Sequence, residues 1–471
     1  MALSSDATRH NRRNAIAIVR RRLPWAIAAA YAALFTALGA WRYAVHRNLV
    51  DFGIFAQSLR TNFFCLCNPI EGSHWAFHFS PILAIPMLLL HIWNSPLVLV
   101  LVQSAACALV VPAVYALVAH RSDARTAALA AWISALYPPL AGLAFVDFHE
   151  NAFAPAAVLW LFWALDTRRF RLAALFAIVA LGVKEDQALF IAVGALASAW
   201  VLRRDMAMRR FLLGLAAVAC IVVAAFFFAI APHVGTNPAW QPTRFYAWNG
   251  ADFVALPATL LARLGFLVLA LAPLAFIPLR SPVILLAIPP FAEVLLSRMP
   301  TTFTMGTHYS GAWIGYLLAA FAFAVPRASR RALYLALAFC VLEFALADPL
   351  HPAVNLRPIE SRDRALDAYL RLWPSDLAVA TQEEAYGHLA LHDARATLLP
   401  DNSSAPLPAP IVLIDRAFPR SPRLQENAAR LAALEANGTL RVAISCGAIL
   451  VMTRAPRARA AAIPRCPRGS P

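Results

Sequence analysis

Several short polar segments interrupt this otherwise strongly apolar chain and carry side chains capable of acid–base or phosphate chemistry. Each lies where an apolar segment ends or breaks, which is where ionisable groups of a membrane protein tend to be functional. The candidate residues in these segments are Asp51, His74, His78, Asp147, His149, Glu150, Lys184, Glu185 and Asp186.

Asp51 follows closely on the first long apolar segment. A carboxylate at this position can act as a general base or hold a cation. The alternative is a local role, in which Asp51 caps a helix that starts at Phe52. Position alone leaves both roles of Asp51 open.

Lys184 is the only lysine among 41 basic residues, and two acids follow it directly. The three residues break an apolar run that extends from residue 172 to residue 200. An ammonium is a compact point charge suited to a phosphate, whereas arginine offers a planar fork. We therefore expect Lys184, Glu185 and Asp186 to contact a substrate. The alternative is a local ion pair at a tight turn.

Two other segments combine histidines with aromatic or acidic residues. In a helix, His74 and His78 would share one face, at a spacing compatible with metal or phosphate contact. Two histidines without an acidic third ligand nearby are a weak signal for a metal. Metal binding and simple packing at the membrane interface are both open for this pair. Asp147, His149 and Glu150 place three ionisable groups within four residues, which is costly at membrane depth unless they are solvated or paired. From the residues alone, a binding role and a solvated turn are both open for these three residues.

Later connections contain cations, phenols and carboxylates. An arginine or lysine there could clamp a phosphate while a carboxylate acts on a hydroxyl. Tyrosine at that depth also serves as an interfacial anchor. The residues concerned are Arg244, Tyr246, Glu293, Arg298, His308 and Tyr309.

The composition places all these segments in a membrane protein. Of the 471 residues, 61% are hydrophobic and 14% are charged, against about 25% charged in a soluble domain. Most basic residues before position 348 fall in short gaps after alternate apolar segments, which is the positive-inside pattern. The net charge of +16 therefore indicates topology, and no motif supports a nucleic-acid partner. We expect a polytopic membrane protein with a cytoplasmic N-terminus.

Hydropathy predicts an all-α polytopic region with about eleven crossings, followed by a small α/β domain. An odd number of crossings places that domain outside, on the face where nearly all histidines and acids of the membrane region fall. The predicted divisions are a basic cytoplasmic N-terminus (1–23), a transmembrane region (24–348) with its first outer loop at 44–80, an extracytoplasmic α/β domain (349–453) and a disordered tail rich in Arg, Ala and Pro (454–471).

Short strands are predicted in the α/β domain near residues 377–381, 396–399, 411–415, 440–445 and 448–453, with helices near 382–392 and 422–436. Four cysteines fall on the outer side, where the compartment is oxidising and a disulfide could form. These are Cys65, Cys67, Cys446 and Cys466.

Several motifs occur in a characteristic order along the chain. They are Asp51-x-Gly-Ile-Phe-x-Gln57, His78-Phe-Ser-Pro81, Gln103, Tyr137-Pro138, Asp147-Phe-His149-Glu150 and Lys184-Glu185-Asp186. Together with segments at 378–382, 388–395 and 411–415, this order resembles the bacterial and archaeal membrane family known as domain of unknown function 2079. The resemblance covers about residues 45–450 and adds Gln57 to the candidate binding residues.

The layout of that family is similar to the GT-C membrane glycosyltransferases, which carry an acidic residue in the first outer loop and use polyprenyl-phosphate sugars as donors. The resemblance implies a GT-C-like fold, with membrane lipid and a polyprenyl-phosphate sugar as partners. The protein would lie in the bacterial inner membrane, with Asp51 as the catalytic base, and Lys184 with Arg298 or Arg244 would hold the phosphate. His78, Asp147 and His149 would line the cavity. Cofactors and protein partners stay unassigned.

Two other functions remain open at this point. A transporter or flippase also carries charged residues at helix breaks, although no inverted repeat is visible and the ionisable groups cluster at one face. A non-catalytic membrane scaffold would bind a partner through its extracytoplasmic domain and use the motifs for folding alone.

Overall fold

The computed structural model describes residues 3–234, 241–347, 350, 357–454, 456 and 460–466. The membrane region is built from helices joined by short connections. Its first helices are α1 (Leu3–Ala44), α2 (Val50–Ser58), α3 (Ala84–Ile92), α4 (Leu97–Ala108), α5 (Val110–Arg121), α6 (Ala124–Ala135), α7 (Pro138–Phe145), α8 (Ala154–Asp166), α9 (Phe170–Leu181) and α10 (Glu185–Val201). The others are α11 (Met206–Ala225), α12 (Ala231–Val234), α13 (Gln241–Tyr246), α14 (Gly250–Leu271), α15 (Ile288–Leu296), α16 (Gly311–Ala324) and α17 (Arg330–Ala347). A small hairpin, β1 (Cys67–Asn68) and β2 (Gly72–Ser73), follows α2.

Five helical stretches within the described ranges are long and apolar enough to cross a membrane, and α6 with α7, bent by 48°, would make a sixth. The five are Arg22–Ala44, Leu97–Arg121, Met206–Val234, Gly250–Leu274 and His308–Arg327. The predicted count of eleven crossings is therefore not confirmed. Hydropathy measures the length of an apolar run, but it does not register the 3₁₀ turns, such as Ile277–Arg280 and Pro282–Ala287, that divide such a run.

α16 lies in the core of the bundle, where nearly all of its side chains are buried and it packs on α5 and α8. Two glycines permit this close packing. A Cβ at Gly311 would lie 2.3 Å from the carbonyl oxygen of Asn151, and one at Gly315 would lie 3.0 Å from Cα of Pro155. Small residues of this kind let helix backbones approach closely in membranes. They hold the start of α16 against the segment that carries Glu150.

The C-terminal domain contains a five-stranded mixed sheet in the order β4-β3-β5-β7-β6. β3 is parallel to both of its neighbours, and β7 is antiparallel to both of its own. Its elements are α18 (Ser361–Leu370), β3 (Val379–Thr381), α19 (Glu383–Leu389), β4 (Ala396–Leu398), β5 (Ile411–Asp415), α20 (Pro422–Ala436), β6 (Arg441–Cys446) and β7 (Ile449–Thr453).

Side chains alternate between the two faces of this sheet, as the pleat requires. On β5, Ile411 and Leu413 pack towards α18 and α19, whereas Val412 and Ile414 pack towards α20. The five predicted strands and both predicted helices are confirmed, with ends shifted by a few residues. α18 escapes prediction because its sequence is polar and only its inner face is apolar.

The α/β domain rests on one end of the membrane region, which we call the domain face. α19 packs on α2, and one hydrophobic cluster joins Phe52 and Phe55 of the membrane region to Leu389 of the domain. This cluster places the domain directly over the segment that contains Asp51.

Two disulfides occur, Cys65–Cys67 and Cys446–Cys466. The composition of the tail predicts disorder, but its described residues 460–466 pack on the α/β domain, with Ile463 buried. The phenol of Tyr369 donates a hydrogen bond to the carbonyl oxygen of Pro464 (3.0 Å).

Replacing Gly311 by alanine should destabilise the membrane region, because the new Cβ would meet a backbone carbonyl that cannot move aside freely. The expected cost is about 1–3 kcal/mol or more, measured as a lower apparent melting temperature of the purified protein in detergent. Gly265→Ala in α14 is the matched control, since a Cβ there meets no atom within 4 Å and alanine favours a helix. Equal melting temperatures for the two variants would contradict the close packing of α16.

Candidate functional site

The carboxylate of Asp147 fixes the start of α2 from a distant part of the chain. Its Oδ2 accepts hydrogen bonds from the backbone amides of Leu49 (2.6 Å) and Phe52 (3.3 Å), and Leu49 supplies no side-chain cap of its own. Asp147 thus satisfies amides that a helix leaves unpaired at its start. The alternative in which Asp51 caps a helix that starts at Phe52 is wrong, because α2 starts at Val50 and Asp51 lies in its first turn.

The second oxygen of Asp147 is held by Arg42 and Asn48. Oδ1 lies 2.8 Å from Nη2 of Arg42 and 3.2 Å from Nδ2 of Asn48. Arg42 and Asp147 are both buried, so each charge depends on the other for its stabilisation. With both oxygens engaged, Asp147 supports α2 and has neither oxygen free for a substrate.

The carboxylate of Asp51 stays accessible, with 44% of its side-chain surface exposed, and its Oδ2 lies 3.7 Å from Nδ1 of His308. The protein that surrounds the other sides of the carboxylate desolvates it and raises the pKa of Asp51 to about 7, and the charge of Asp147 adds to the effect. A carboxyl with this pKa can take up and release a proton at neutral pH, as general acid–base catalysis requires.

Two stacked imidazoles extend the site beyond Asp51. The rings of His308 and His149 are parallel to within 4°, with centroids 3.9 Å apart. Nδ1 of His149 lies 3.0 Å from Oε2 of Glu150, and Oε1 of Gln103 accepts a hydrogen bond from the backbone amide of His149 (2.9 Å). The structure therefore brings four predicted residues together from three separate segments.

Glu150 is fully buried. Although Oε2 lies close to Nδ1 of His149, neither oxygen of Glu150 makes a hydrogen bond of good geometry in the described ranges, and Nε2 of His74 is unpartnered in the same way. Burying an ionisable side chain without a hydrogen-bond partner is costly. Buried ionisable side chains of this kind cluster at functional sites. In the part of the chain that the structure describes, no three His, Cys, Asp or Glu side chains are grouped as metal ligands.

A second set of charges lies beside the first and is paired internally. Nδ1 of His78 lies 2.9 Å from Oε1 of Glu185, whose Oε2 accepts a hydrogen bond from the backbone amide of Phe79 (2.9 Å). Nζ of Lys184 lies 3.3 Å from Oδ2 of Asp186, and 8% of the lysine side chain is exposed. The structure thus shows, for Lys184, the alternative of an ion pair with a neighbouring acid. His74 and His78 are adjacent, with ring centroids 5.5 Å apart.

The two predicted arginines differ in their surroundings. Nε of Arg298 lies 3.2 Å from Oδ2 of Asp252, and Arg298 also bonds to the carbonyl of Ala247. Arg244 is exposed and pairs with no carboxylate among the described residues. The guanidinium of Arg244 interacts electrostatically with the side chain of Tyr309. The ring centroid of Tyr309 lies 4.2 Å from that of His308.

Gln57 does not face these residues. Its Nε2 donates to the carbonyl oxygens of Asp393 (2.9 Å) and Ala396 (3.0 Å), and its Oε1 accepts a hydrogen bond from the phenol of Tyr386 (2.8 Å). Gln57 therefore belongs to the contact between α2 and the α/β domain.

Arg42 and Tyr386 support the site but escape prediction from local motifs. Arg42 carries a usable signal, because it stands at the end of the first apolar segment opposite the arginine-rich N-terminal stretch, where the positive-inside rule disfavours it. An arginine in that place indicates a buried acidic partner. Tyr386 has no comparable signal, since a tyrosine in a short buried helix is ordinary.

The fold is similar to that of two solved structures. The crystal structure of ArnT from Cupriavidus metallidurans bound to undecaprenyl phosphate matches with a TM-score of 0.56, covering 90% of this chain and 98% of that one at 12% identity. The apo state of the same protein gives a TM-score of 0.53, with 93% and 99% covered at 12% identity. At this identity the likeness concerns the fold, and it confirms the expected GT-C-like architecture. No curated protein matches the chain in sequence.

A family model matches the sequence over residues 50–435. The match begins next to Asp51 and extends through α20, so it takes in most of the membrane region and most of the α/β domain. It therefore covers far more than half of the chain and includes all of the predicted site residues. The chain belongs to the family of predicted membrane proteins named DUF2079.

Proposed function

We propose that this chain is a GT-C-like glycosyltransferase of the bacterial inner membrane, which transfers a sugar from a polyprenyl phosphate at the outer face. The observation that carries the proposal is the accessible carboxylate of Asp51, held at the start of a fixed helix beside stacked imidazoles. The likeness in fold to ArnT, whose structure contains undecaprenyl phosphate, supports the lipid-linked donor. In this proposal the N-terminus is cytoplasmic and the domain face is the outer one.

Asp51 acts as the general base in the proposed reaction. It accepts the proton of an acceptor hydroxyl while the hydroxyl oxygen bonds to the anomeric carbon of the donor sugar. The bond from that carbon to the phosphate oxygen breaks, and the polyprenyl phosphate leaves with the bonding electrons. His308 lies beside the carboxylate, with its Nδ1 3.7 Å away, and its charge when protonated would stabilise the ionised form of Asp51. Its ring stacks on His149.

Arg244 is the cation best suited to the donor phosphate. Lys184 and Arg298 are engaged by Asp186 and Asp252, whereas Arg244 is exposed and has no carboxylate partner among the described residues. A guanidinium can bind a phosphate through two parallel hydrogen bonds. His78 and Glu185 would then contact sugar hydroxyls, because 28% of the His78 side chain remains exposed.

Asp51→Asn should reduce transfer by about 100-fold or more, which is the lower range for the loss of a general base. Folding should be unaffected, because Asp147 rather than Asp51 satisfies the amides of α2. The measurement is mass spectrometry of envelope glycans from cells that lack the gene and produce equal amounts of wild type or variant.

The control for this variant is Asp401→Asn, which alters a carboxylate of the α/β domain that is 83% exposed. This control should leave the glycan profile unchanged. A wild-type profile in cells with Asp51→Asn would refute the proposed reaction.

The rate of transfer should rise with pH through about 7, because only the ionised form of Asp51 accepts a proton and its pKa lies at about 7. Well below that pH the rate should fall by about tenfold for each pH unit. The measurement is the initial rate of polyprenyl phosphate release by the protein in nanodiscs, with the lipid-linked donor identified from the glycan comparison. A flat profile between about pH 5 and 8 would exclude a base that titrates in this range.

Arg244→Ala should weaken the binding of undecaprenyl phosphate by about tenfold or more, since hydrogen bonds to charged groups contribute about 1.5–3 kcal/mol. The measurement is the Kd for undecaprenyl phosphate by native mass spectrometry of the protein in detergent. Arg441→Ala, which removes an exposed arginine of strand β6, is the control. Equal affinities for the two variants would remove Arg244 from the phosphate site.

A further inference from the structure

The side of α2 that faces the α/β domain is in direct contact with Tyr386 of α19. Gly53 makes this contact possible, because a Cβ at residue 53 would lie 2.4 Å from ring atoms of Tyr386. Tyr386 is completely buried. The ring therefore lies directly against the backbone of the helix whose first turn contains Asp51.

The phenol of Tyr386 also fixes α2 through a hydrogen bond. It donates to Oε1 of Gln57 (2.8 Å), and the amide nitrogen of Gln57 donates to the carbonyls of Asp393 and Ala396. Gln57 is 2% exposed, so each of these polar atoms depends on its protein partner. Buried networks in which every member is satisfied favour one arrangement over its alternatives.

A second contact with the α/β domain lies just before α2. The ring nitrogens of His46 lie 3.2 and 3.1 Å from the carbonyl oxygens of Glu384 and Asp363. Nε2 of His388 lies 3.1 Å from the carbonyl oxygen of Tyr43, and the rings of His46 and His388 stack with centroids 4.0 Å apart. The domain thus contacts the chain on both sides of Asp51, at residues 43–46 and at residues 53–57.

We propose that Tyr386 is a positioning residue for Asp51, so that the α/β domain is an integral part of the reacting site. The inference deepens the proposed function and rests on it. Without the phenolic hydroxyl, Oε1 of Gln57 is a buried acceptor with no donor, and α2 can relax this cost only by shifting. A displacement of about 1 Å at a reacting group can cost about 100-fold in rate.

Tyr386→Phe and Tyr369→Phe form a matched pair of variants for the full-length protein. Both tyrosines are completely buried in helices of the same domain, and each phenol makes one hydrogen bond, but Tyr369 bonds to Pro464 and not to α2. We expect Tyr386→Phe to lower kcat by about tenfold, with the KM for the lipid-linked donor unchanged. Tyr369→Phe should leave kcat unchanged at a comparable loss of thermal stability.

A second measurement follows the position of residue 51 without any reaction. Asp51→Cys is combined with each tyrosine variant in nanodiscs, and the rate of maleimide labelling at residue 51 is read by peptide mass spectrometry. We expect the rate to change by about threefold or more in the Tyr386→Phe background and to stay constant in the Tyr369→Phe background.

These measurements separate the inference from the proposed function. Labelling rates at residue 51 that are equal in the two backgrounds would overturn the positioning role, whatever the kinetics show. Unchanged kcat in Tyr386→Phe would overturn it as well. A wild-type chain that transfers no sugar refutes the proposed function instead, and in that case a change in labelling specific to Tyr386→Phe still supports the control of α2 by the α/β domain.

Discussion

The interaction on which the rest of the site depends is the buried ion pair between Arg42 and Asp147. Either charge alone would be very costly at this depth. Together with Asn48 and two backbone amides they form a network in which both carboxylate oxygens are satisfied. Removing one partner from such a pair costs about 3–5 kcal/mol, because the other charge stays buried. The end of α1, the start of α2 and the segment after α7 are therefore fixed relative to one another.

This network separates supporting charges from reactive ones. Asp147, Arg298 and Lys184 each have a close partner of opposite charge, so their charges are already compensated within the protein. Asp51 and Arg244 keep exposed surface. For the proposed binding of a charged lipid headgroup, the groups still able to gain an interaction are the ones that can contribute binding or catalysis.

The sequence predicts much of the fold because many of its signals are local. A short continuous run of aliphatic residues identifies β5, and a carboxylate after the first apolar segment identifies Asp51. The rest depends on contacts between residues far apart in the chain. Asp147 caps a helix that starts nearly a hundred positions earlier, and Tyr386 contacts Gln57 across most of the protein. No periodicity indicates such pairs. The predicted number of crossings is not confirmed for another reason, since apolar runs contain turns that only backbone geometry reveals.

The ion pair between Arg42 and Asp147 positions Asp51 and also affects its pKa. Desolvation and the charges of Asp147, Glu71 and Glu150 raise the pKa of Asp51, while the charge of Arg42 lowers it. Because Arg42 lies against Asp147, it offsets part of the repulsion that Asp147 would otherwise exert on Asp51. Without that compensation the pKa of Asp51 would rise further, and a larger fraction of the carboxyl would be protonated at neutral pH. One buried guanidinium thus holds the helix in place and keeps its carboxylate close to the pKa that a general base needs.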